Sequence, residues 1–224
     1  MLAAIGVVHY PRRMTTVEDV LGFWFGAAPA ANAAELGVKF KRWYMGGPDE
    51  DTAIRARFAE TVEQALAGEL HGWTATPRGR LALILLLDQM TRSLYRGAAR
   101  AFAGDARAQR LAVEMLEDGS AVGLHYEERH FVYMPLLHAE DATLLERYND
   151  LFPRSVETLP EWARPLFADG LEQGEKYREV FRRFGRFPHR NAALGRTSTP
   201  DEVEFLATWE QKAPPKGALA LRGT

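Results

Sequence analysis

The sequence predicts an all-α protein built as an array of antiparallel helix pairs. Apolar residues recur at spacings of three and four along most of the chain, and helix start and stop signals recur between these segments. Alternating strand patterns around Asn-Gly or Asp-Gly turns do not occur. The signals predict about seven to nine helices joined by short loops, and short loops place consecutive helices antiparallel.

Two segments in the N-terminal third have clear helix ends. Thr15 and Glu18 have the spacing of a capping box, in which each side chain accepts a hydrogen bond from a free backbone N–H. The helix that they begin is predicted to end at Gly26. Apolar residues at helical spacing between Ile54 and Leu66 predict another helix, which ends at Gly68.

The middle of the chain predicts three further helical segments. One begins at Pro77 and contains Leu81–Leu87, which is apolar on all sides and is therefore expected to be buried on all sides. Asp105 is predicted to cap the next helix. A longer segment from about Glu127 to Leu151 contains Pro135, which we expect to break or kink it.

The C-terminal third predicts two more helical regions and no linker. The first covers Pro160–Phe184, and Thr199 with Glu202 predicts the N-terminus of the second. We therefore expect one helical domain over residues 15–210, an N-terminal extension over residues 1–14 and a flexible tail over residues 211–224. Because the first helix signal follows Met14 directly, both Met1 and Met14 fit as the translation start.

The composition excludes several classes of function. The 28 Lys and Arg residues nearly balance the 30 Asp and Glu residues, so bulk charge predicts neither a nucleic-acid nor a membrane partner. The chain has no cysteine, which excludes disulfides and thiolate chemistry. The longest apolar run, Leu81–Leu87, is far shorter than the roughly 20 residues of a membrane span. We expect a soluble, cytoplasmic protein.

The first unusual motif places charge at the end of the apolar helix. Asp88 and Arg92 are four residues apart, so they share a helix face, and that face continues the apolar stripe. A buried carboxylate needs a partner because an isolated charge is costly to bury. A structural ion pair and a functional site, with Gln89 beside it, both fit this pattern.

The second motif surrounds Pro135 with ionisable groups. Tyr133, His138, Glu140 and Asp141 follow one another within nine residues, and His138 and Asp141 are three residues apart. General acid–base chemistry is the functional interpretation. A metal site is the less favoured one because no second histidine follows at helical spacing. A histidine that supports a neighbouring group or a helix cap is the structural alternative.

The third motif is a loop rich in arginine between two predicted helices. Its polar side chains are Arg186, His189, Arg190, Asn191 and Arg196. Planar guanidiniums suit carboxylate and phosphate groups, and the helix N-terminus after Thr199 adds free N–H groups. The alternative is that these arginines only neutralise acidic groups such as Asp88, Glu140 and Asp141.

Together the motifs resemble one known family. They are Phe23-Trp24-Phe25, Leu87-Asp88-Gln89-x-x-Arg92 with Tyr95-Arg96-Gly97, Tyr133-Met134-Pro135 with His138-x-Glu140-Asp141, and Phe184-Gly185-Arg186-Phe187-Pro188-His189-Arg190-Asn191 with Leu194-Gly195-Arg196. In this order they resemble the mostly bacterial domain of unknown function family 924, over about Thr15 to Ala207. The resemblance implies a helical fold similar to tetratricopeptide-repeat proteins and no established reaction. Tyr177 departs from the family pattern, which has a histidine there.

Two functions from different classes follow from these motifs. The leading hypothesis is a pocket that binds, and in an enzyme converts, a small anionic compound without metal or cofactor. Its catalytic candidates are Asp88, His138, Glu140 and Asp141, and its ligand-binding candidates are Gln89, Arg92, Tyr133, Arg186, His189, Arg190, Asn191 and Arg196. The alternative is a non-catalytic helical module that holds a peptide or protein partner in a groove.

Overall fold

A computed structural model describes residues 14–212, with side chains to residue 209, and within them the chain is all-α, as predicted. Most of the predicted extension and of the predicted tail lies outside the described residues. The helices are α1 (Val17–Phe25), α2 (Ala33–Met45), α3 (Pro48–Ala67), α4 (Pro77–Ile84), a π-helical segment (Leu85–Met90), α5 (Thr91–Leu94), α6 (Asp105–Glu117), α7 (Tyr126–Leu137), α8 (Ala142–Glu157), α9 (Arg164–Phe184) and α10 (Pro200–Lys212). If residues 77–94 are taken as one helix, the described residues form nine helices.

The first helix begins one residue later than the sequence predicts. Its N-cap is Thr16, whose hydroxyl accepts from the N–H of Asp19, while the Asp19 carboxylate accepts from the N–H of Thr16. The capping box therefore uses Thr16 and Asp19 rather than Thr15 and Glu18. Helix α2 was not predicted. Its N-cap is Asn32, whose side-chain oxygen accepts from the N–H of Glu35 at 3.0 Å.

The predicted segment from Glu127 to Leu151 is two helices, and Pro135 does not divide them. Pro135 lies inside α7, which continues to Leu137. The chain turns over residues 138–141, and α8 begins there with Asp141 as N-cap, accepting from the N–H of Leu144 at 2.9 Å. The break between the two helices therefore lies at residues 138–141 and not at Pro135.

The apolar stretch of α4 forms the centre of the core, as predicted. Every residue of Leu81–Leu87 is fully buried. The 77–90 segment packs against α1, α3, α6 and α7, so neighbouring helices cover it on every side. The aromatic residues of α1 and α2 lie around this centre, with Trp24 and Phe25 packed edge-to-face on Phe131 of α7.

Helices α8 and α9 are an antiparallel pair in close contact. The hydroxyl of Tyr148 donates to the carbonyl of Gly170 at 3.0 Å, and Arg178 contacts Glu146 at 3.2 Å. The two helices therefore run in opposite directions. A Cβ at Gly170 would lie 2.6 Å from the ring of Phe152, so a side chain there would separate the helices. The specific tetratricopeptide-like arrangement stays a prediction.

No helix of residues 14–212 is long and apolar enough to span a bilayer.

Candidate functional site

The site begins at an irregularity in the central helix, where the sequence predicts regular α-helix. Leu85–Met90 is π-helical, and Asp88 and Gln89 lie on this widened turn. The hydroxyl of Thr91 donates to the carbonyl of Leu87 at 2.8 Å, which satisfies one group of the altered ladder. Gly104 lets the chain before α6 approach the same carbonyl closely, since a Cβ there would lie 2.3 Å from its oxygen. Single π turns of this kind are frequent at functional sites.

The buried carboxylate of Asp88 is joined to His138. Nδ1 of His138 lies 2.8 Å and 2.9 Å from the two carboxylate oxygens, and Asp88 has no solvent exposure. His138 reaches this position because it is the C-cap of α7, where its N–H bonds the carbonyl of Met134 at 3.0 Å. Its side chain keeps 19% of its surface exposed.

Asp88 is ionised at neutral pH. Burial opposes its ionisation, but Arg92, His138 and the amide of Gln89 outweigh burial and lower its pKa to about 2. An ionised carboxylate only accepts hydrogen bonds, so Nδ1 of a neutral His138 carries the proton. The free electron pair of the imidazole is then on Nε2, which makes no hydrogen bond within residues 14–212. This tautomer leaves Nε2 able to accept a hydrogen bond or a proton.

Asp88, His138, Arg190, Asp105 and Arg92 form a closed loop of contacts, which we call the charged cycle. Arg92 contacts Asp88 at 3.2 Å and Asp105 at 3.0 Å. Arg190 contacts Asp105 at 3.1 Å and donates to the backbone carbonyl of His138 at 2.7 Å. The cycle joins the π segment, α5, α6, α7 and the arginine-rich loop, so it fixes five parts of the chain relative to one another.

Asp105 was predicted only as a helix cap, and this prediction was wrong. The N-cap of α6 is Gly104, without a side-chain cap, and the Asp105 carboxylate lies between the two guanidiniums. Burial raises the pKa of Asp105, against the opposing effect of Arg92. Phe102 packs beneath both cations, 4.7 Å from the Arg190 guanidinium and 5.6 Å from that of Arg92.

The other arginines of the loop are paired with carboxylates of their own. Arg196 makes two 2.8 Å hydrogen bonds to Glu140, and Glu140 also accepts from the N–H of Phe187 at 2.6 Å. Burial opposes the ionisation of Glu140, but Arg196 and this N–H outweigh it and lower its pKa. Arg186 pairs with Glu202 at 2.7 Å and 2.8 Å.

Glu202 also completes the predicted N-terminus of α10, accepting from the N–H of Thr199 at 2.8 Å. The amide of Asn191 donates to Ser198 at 3.0 Å and to Glu202 at 3.3 Å. These contacts fix the loop against α10. They agree with the structural alternative, in which the arginines neutralise acidic groups. The partner of Arg186 is Glu202, however, and not one of the acidic residues that the sequence suggested.

A cluster of aromatic side chains lies between the arginine-rich loop and helices α9 and α10. The ring of His189 stacks on Trp209 at 5.3 Å and on Phe187 at 5.6 Å. Tyr177 of α9 contacts Phe187 edge-to-face at 4.9 Å and His189 at 5.8 Å. Burial and the nearby Arg190 lower the pKa of His189 to about 4, so this imidazole is neutral at pH 7.

The structure brings five of the predicted site residues together, namely Asp88, Gln89, Arg92, His138 and Arg190. Two others have separate positions, because Asp141 caps α8 and Tyr133 is buried with its ring 5.7 Å from that of Phe152. Asp105 and Phe102 were not predicted as site residues. The only local signal for Asp105 was its place at a helix start, which indicates a cap and not a pair of distant arginines.

Two cavities of the described surface lie away from Asp88 and His138. One of about 380 Å³ is bounded by α1, Arg78 and the N-terminus of α7, and one of about 900 Å³ follows α8 and α9. Neither is lined by Asp88 or His138. Between residues 14 and 212, no three His, Asp or Glu side chains converge as metal ligands would.

Comparison with known proteins places the chain among uncharacterised bacterial proteins. The sequence model of the family described as "Bacterial protein of unknown function (DUF924)" matches residues 20–210. The solved structure of ATU0120, a protein of unknown function from Agrobacterium tumefaciens, is similar with a TM-score of 0.70 and 33% sequence identity. The similarity covers 86% of this chain and 97% of that one. No curated protein matches this chain.

Proposed function

The chain belongs to the bacterial family DUF924, and we propose that it binds a small anionic compound beside His138, which acts as a general base. One observation carries the proposal. The fully buried Asp88 carboxylate holds Nδ1 of His138 at 2.8 Å, while Nε2 makes no hydrogen bond within residues 14–212. A carboxylate that fixes the tautomer and orientation of an imidazole is the arrangement that general-base catalysis uses.

The charge of the site favours an anionic ligand. The charged cycle contains two carboxylates and two guanidiniums, so it has no net charge while His138 is neutral. When His138 takes a proton from the ligand, the cycle gains one positive charge. An anion bound beside it compensates that charge in a partly buried setting, where electrostatic interactions are stronger than in water.

The proposed roles differ among the residues. Asp88 orients His138, and Arg92, whose side chain is 23% exposed, is the guanidinium that meets the anionic group. Gln89, beside Asp88, adds a partly exposed amide. Arg190 holds the backbone of His138 through its carbonyl and is itself almost fully buried.

The remaining predicted residues support the site through the loop. They are Tyr133, Glu140, Asp141, Arg186, His189, Asn191 and Arg196. Asp141 fixes the start of α8, and Tyr133 packs on Phe152 farther along the same helix. The other five fix the arginine-rich loop, which in turn carries Arg190. In this proposal their effect on the ligand is indirect.

One observation favours the alternative function, which is binding of a peptide or protein partner. The cavity along α8 and α9 is about 900 Å³ and combines apolar with charged lining, including Leu145, Phe181, Glu146 and Arg182. A surface of this size with mixed lining suits a peptide better than a small anion. The tetratricopeptide-like interpretation belongs with this alternative.

A binding screen distinguishes the two functions. The wild-type protein and the variants His138→Gln and Arg92→Met are tested by thermal shift and calorimetry against phosphate, small carboxylates, nucleotides, divalent metals and short peptides. An anion that stabilises the wild type must bind its native state, so we expect stabilisation to be lost in both variants. Arg154→Met is the matched control, because Arg154 is exposed and its ion pair is with Asp150 on the same helix. Binding of peptides alone, unaffected by His138→Gln, would favour the alternative.

A further inference from the structure

The hydroxyl of Tyr177 has no partner in the part of the chain that the structure describes. Tyr177 lies on α9 and is partly exposed. The hydroxyl of Tyr148, on the neighbouring α8, differs in this respect, since it donates to the carbonyl of Gly170 at 3.0 Å. The Tyr177 hydroxyl is not among the fully buried side-chain atoms that lack a partner, so solvent or a ligand can reach it.

Tyr177 stands next to the charged cycle. Its ring lies 4.9 Å edge-to-face from that of Phe187, and the guanidinium of Arg190 in turn lies 5.0 Å from the centre of the Phe187 ring. Phe187 therefore joins Tyr177 to the cycle. Burial raises the pKa of Tyr177, and the charges of Arg190 and Arg92 oppose that shift.

The position of Tyr177 is fixed by aromatic contacts on several sides. Besides Phe187, its ring meets His189 at 5.8 Å and Trp209 at 6.0 Å. Trp209 is itself covered by the ammonium group of Lys176 at 3.9 Å. A side chain held in this way loses little rotamer freedom when it meets a ligand, so its hydrogen bond contributes to affinity with a small entropic cost.

We propose that the Tyr177 hydroxyl donates a hydrogen bond to an oxyanion group of the ligand, a phosphate or carboxylate, that Arg92 holds beside His138. This inference rests on the proposed function and assigns a further recognition group to the same site. His138 then accepts a proton from one part of the ligand while Tyr177 donates a hydrogen bond to another. The ligand class is a small molecule that carries an oxyanion.

The protonation state of the phenol agrees with this role. Burial raises the pKa of Tyr177, and the opposing effect of Arg190 and Arg92 does not reverse the shift. The hydroxyl is therefore protonated throughout the neutral range. A neutral phenol is a donor to an anion, whereas a phenolate would repel it.

The test removes only the hydroxyl oxygen. Binding of inorganic phosphate and of acetate is measured by calorimetry for the wild type, Tyr177→Phe, the matched control Tyr148→Phe and His138→Gln. For whichever anion binds, Tyr177→Phe should weaken affinity by about 10- to 100-fold, the range for a hydrogen bond to a charged group. Tyr148→Phe loses a structural hydrogen bond instead, so its affinity should equal that of the wild type. The phosphate and acetate arms separate the two kinds of oxyanion.

The outcomes separate this inference from the proposed function. If Tyr177→Phe binds as tightly as the wild type while His138→Gln does not, the role of Tyr177 is wrong and the proposed function stands. If the wild type binds neither anion, both are wrong. If Tyr177→Phe is unstable, NMR of wild-type protein with ¹³C-labelled tyrosine decides the question. The resonance of the Tyr177 carbon that bears the hydroxyl must then shift on anion binding, and an unchanged resonance overturns the role.

Discussion

Asp88 and His138 are separated by 50 residues in the sequence, yet Nδ1 of His138 lies 2.8 Å from a carboxylate oxygen of Asp88. Two local irregularities bring them together. Asp88 lies on the π turn of the central helix, and His138 is the residue at which α7 ends. The carboxylate is fully buried and its partners hold it ionised, so it fixes the imidazole rather than only neutralising Arg92.

We expect Asp88→Asn to destabilise the protein strongly. The change leaves Asp105 as the one carboxylate of the charged cycle, beside the guanidiniums of Arg92 and Arg190. Breaking a buried ion pair in this way typically costs about 3–5 kcal/mol. The amide that replaces the carboxylate can donate as well as accept a hydrogen bond, so His138 would no longer be held in one tautomer. The free energy of unfolding from urea denaturation measures the first effect, and ¹⁵N NMR of the imidazole measures the second.

Asp150→Asn is the matched control for this prediction. Asp150 and Arg154 are also four residues apart on one helix, but both are exposed, at 55% and 70% of their side-chain surface. Exposed pairs at this spacing contribute only about 0.3–0.5 kcal/mol. Equal destabilisation by the two substitutions would contradict the role that we assign to Asp88.

The sequence predicted the Asp88–Arg92 pair because its cause is local. Helical spacing places residues four apart on one face, and the structure has this contact at 3.2 Å. The contact between Asp88 and His138 could not be predicted in the same way. That contact depends on where α7 ends, on the π turn and on the packing of α7 against the central helix. None of these three features follows from the spacing of residues around Asp88 or around His138.

Asp105 shows how local interpretation of a sequence fails at a site. An aspartate before an apolar helical stretch usually caps that helix through its side chain. Here tertiary contacts take precedence, because Arg92 and Arg190 lie within 3.1 Å of its carboxylate and Gly104 serves as the cap. The predicted all-α class depends on many repeated signals, so it was not affected by individual errors of this kind.

We expect Gly104→Ala to displace the π segment from α6. The new Cβ would meet the Leu87 carbonyl oxygen at 2.3 Å, and this neighbour is backbone that cannot rotate away. Overpacking of this kind typically costs about 1–3 kcal/mol. Because the same approach joins Asp105 to Arg92, anion binding should weaken as well, and thermal denaturation together with calorimetry measures both effects.

Gly37→Ala is the corresponding control for Gly104→Ala. Gly37 lies inside α2, where a Cβ would meet nothing within 4 Å. Alanine favours a helix interior over glycine by up to about 1 kcal/mol, so this variant should be slightly more stable than the wild type. A Gly104→Ala protein as stable as Gly37→Ala would show that the close approach is not required.

We expect His130 to make the protein sensitive to acid. Burial among aromatic rings lowers the pKa of His130 to about 3 in the folded protein, against 6.5 for a free imidazole. Between these two values the unfolded chain binds a proton that the folded chain does not, so stability falls as the pH falls from 6.5 towards 3. One such group contributes a slope of up to about 1.4 kcal/mol per pH unit.

The variant His130→Gln tests this slope rather than absolute stability, since it also removes the contact with the Tyr44 hydroxyl. Urea denaturation at a series of pH values should give a shallower decline for His130→Gln than for the wild type. The side chains that contact His130 are Tyr44 and the rings of Phe40, Phe131, Phe152 and Phe167. Burial raises the pKa of Tyr44, so none of these groups titrates between pH 3 and 6.5. Parallel curves for the two proteins would show that His130 does not cause the loss of stability at low pH.

The arginines of the loop should divide into two classes when their effects on stability and on binding are compared. Arg186 is paired with Glu202 through two hydrogen bonds, so Arg186→Met should lower the melting temperature and leave anion affinity unchanged. Arg92 is proposed to meet the anion, so Arg92→Met should lower affinity even at temperatures where the variant is fully folded. Circular dichroism establishes the folded range of each variant, and calorimetry within that range gives affinity. If Arg186→Met abolished binding within its folded range, Arg186 would be a direct ligand group, as the sequence alone suggested, and the site would extend to α10.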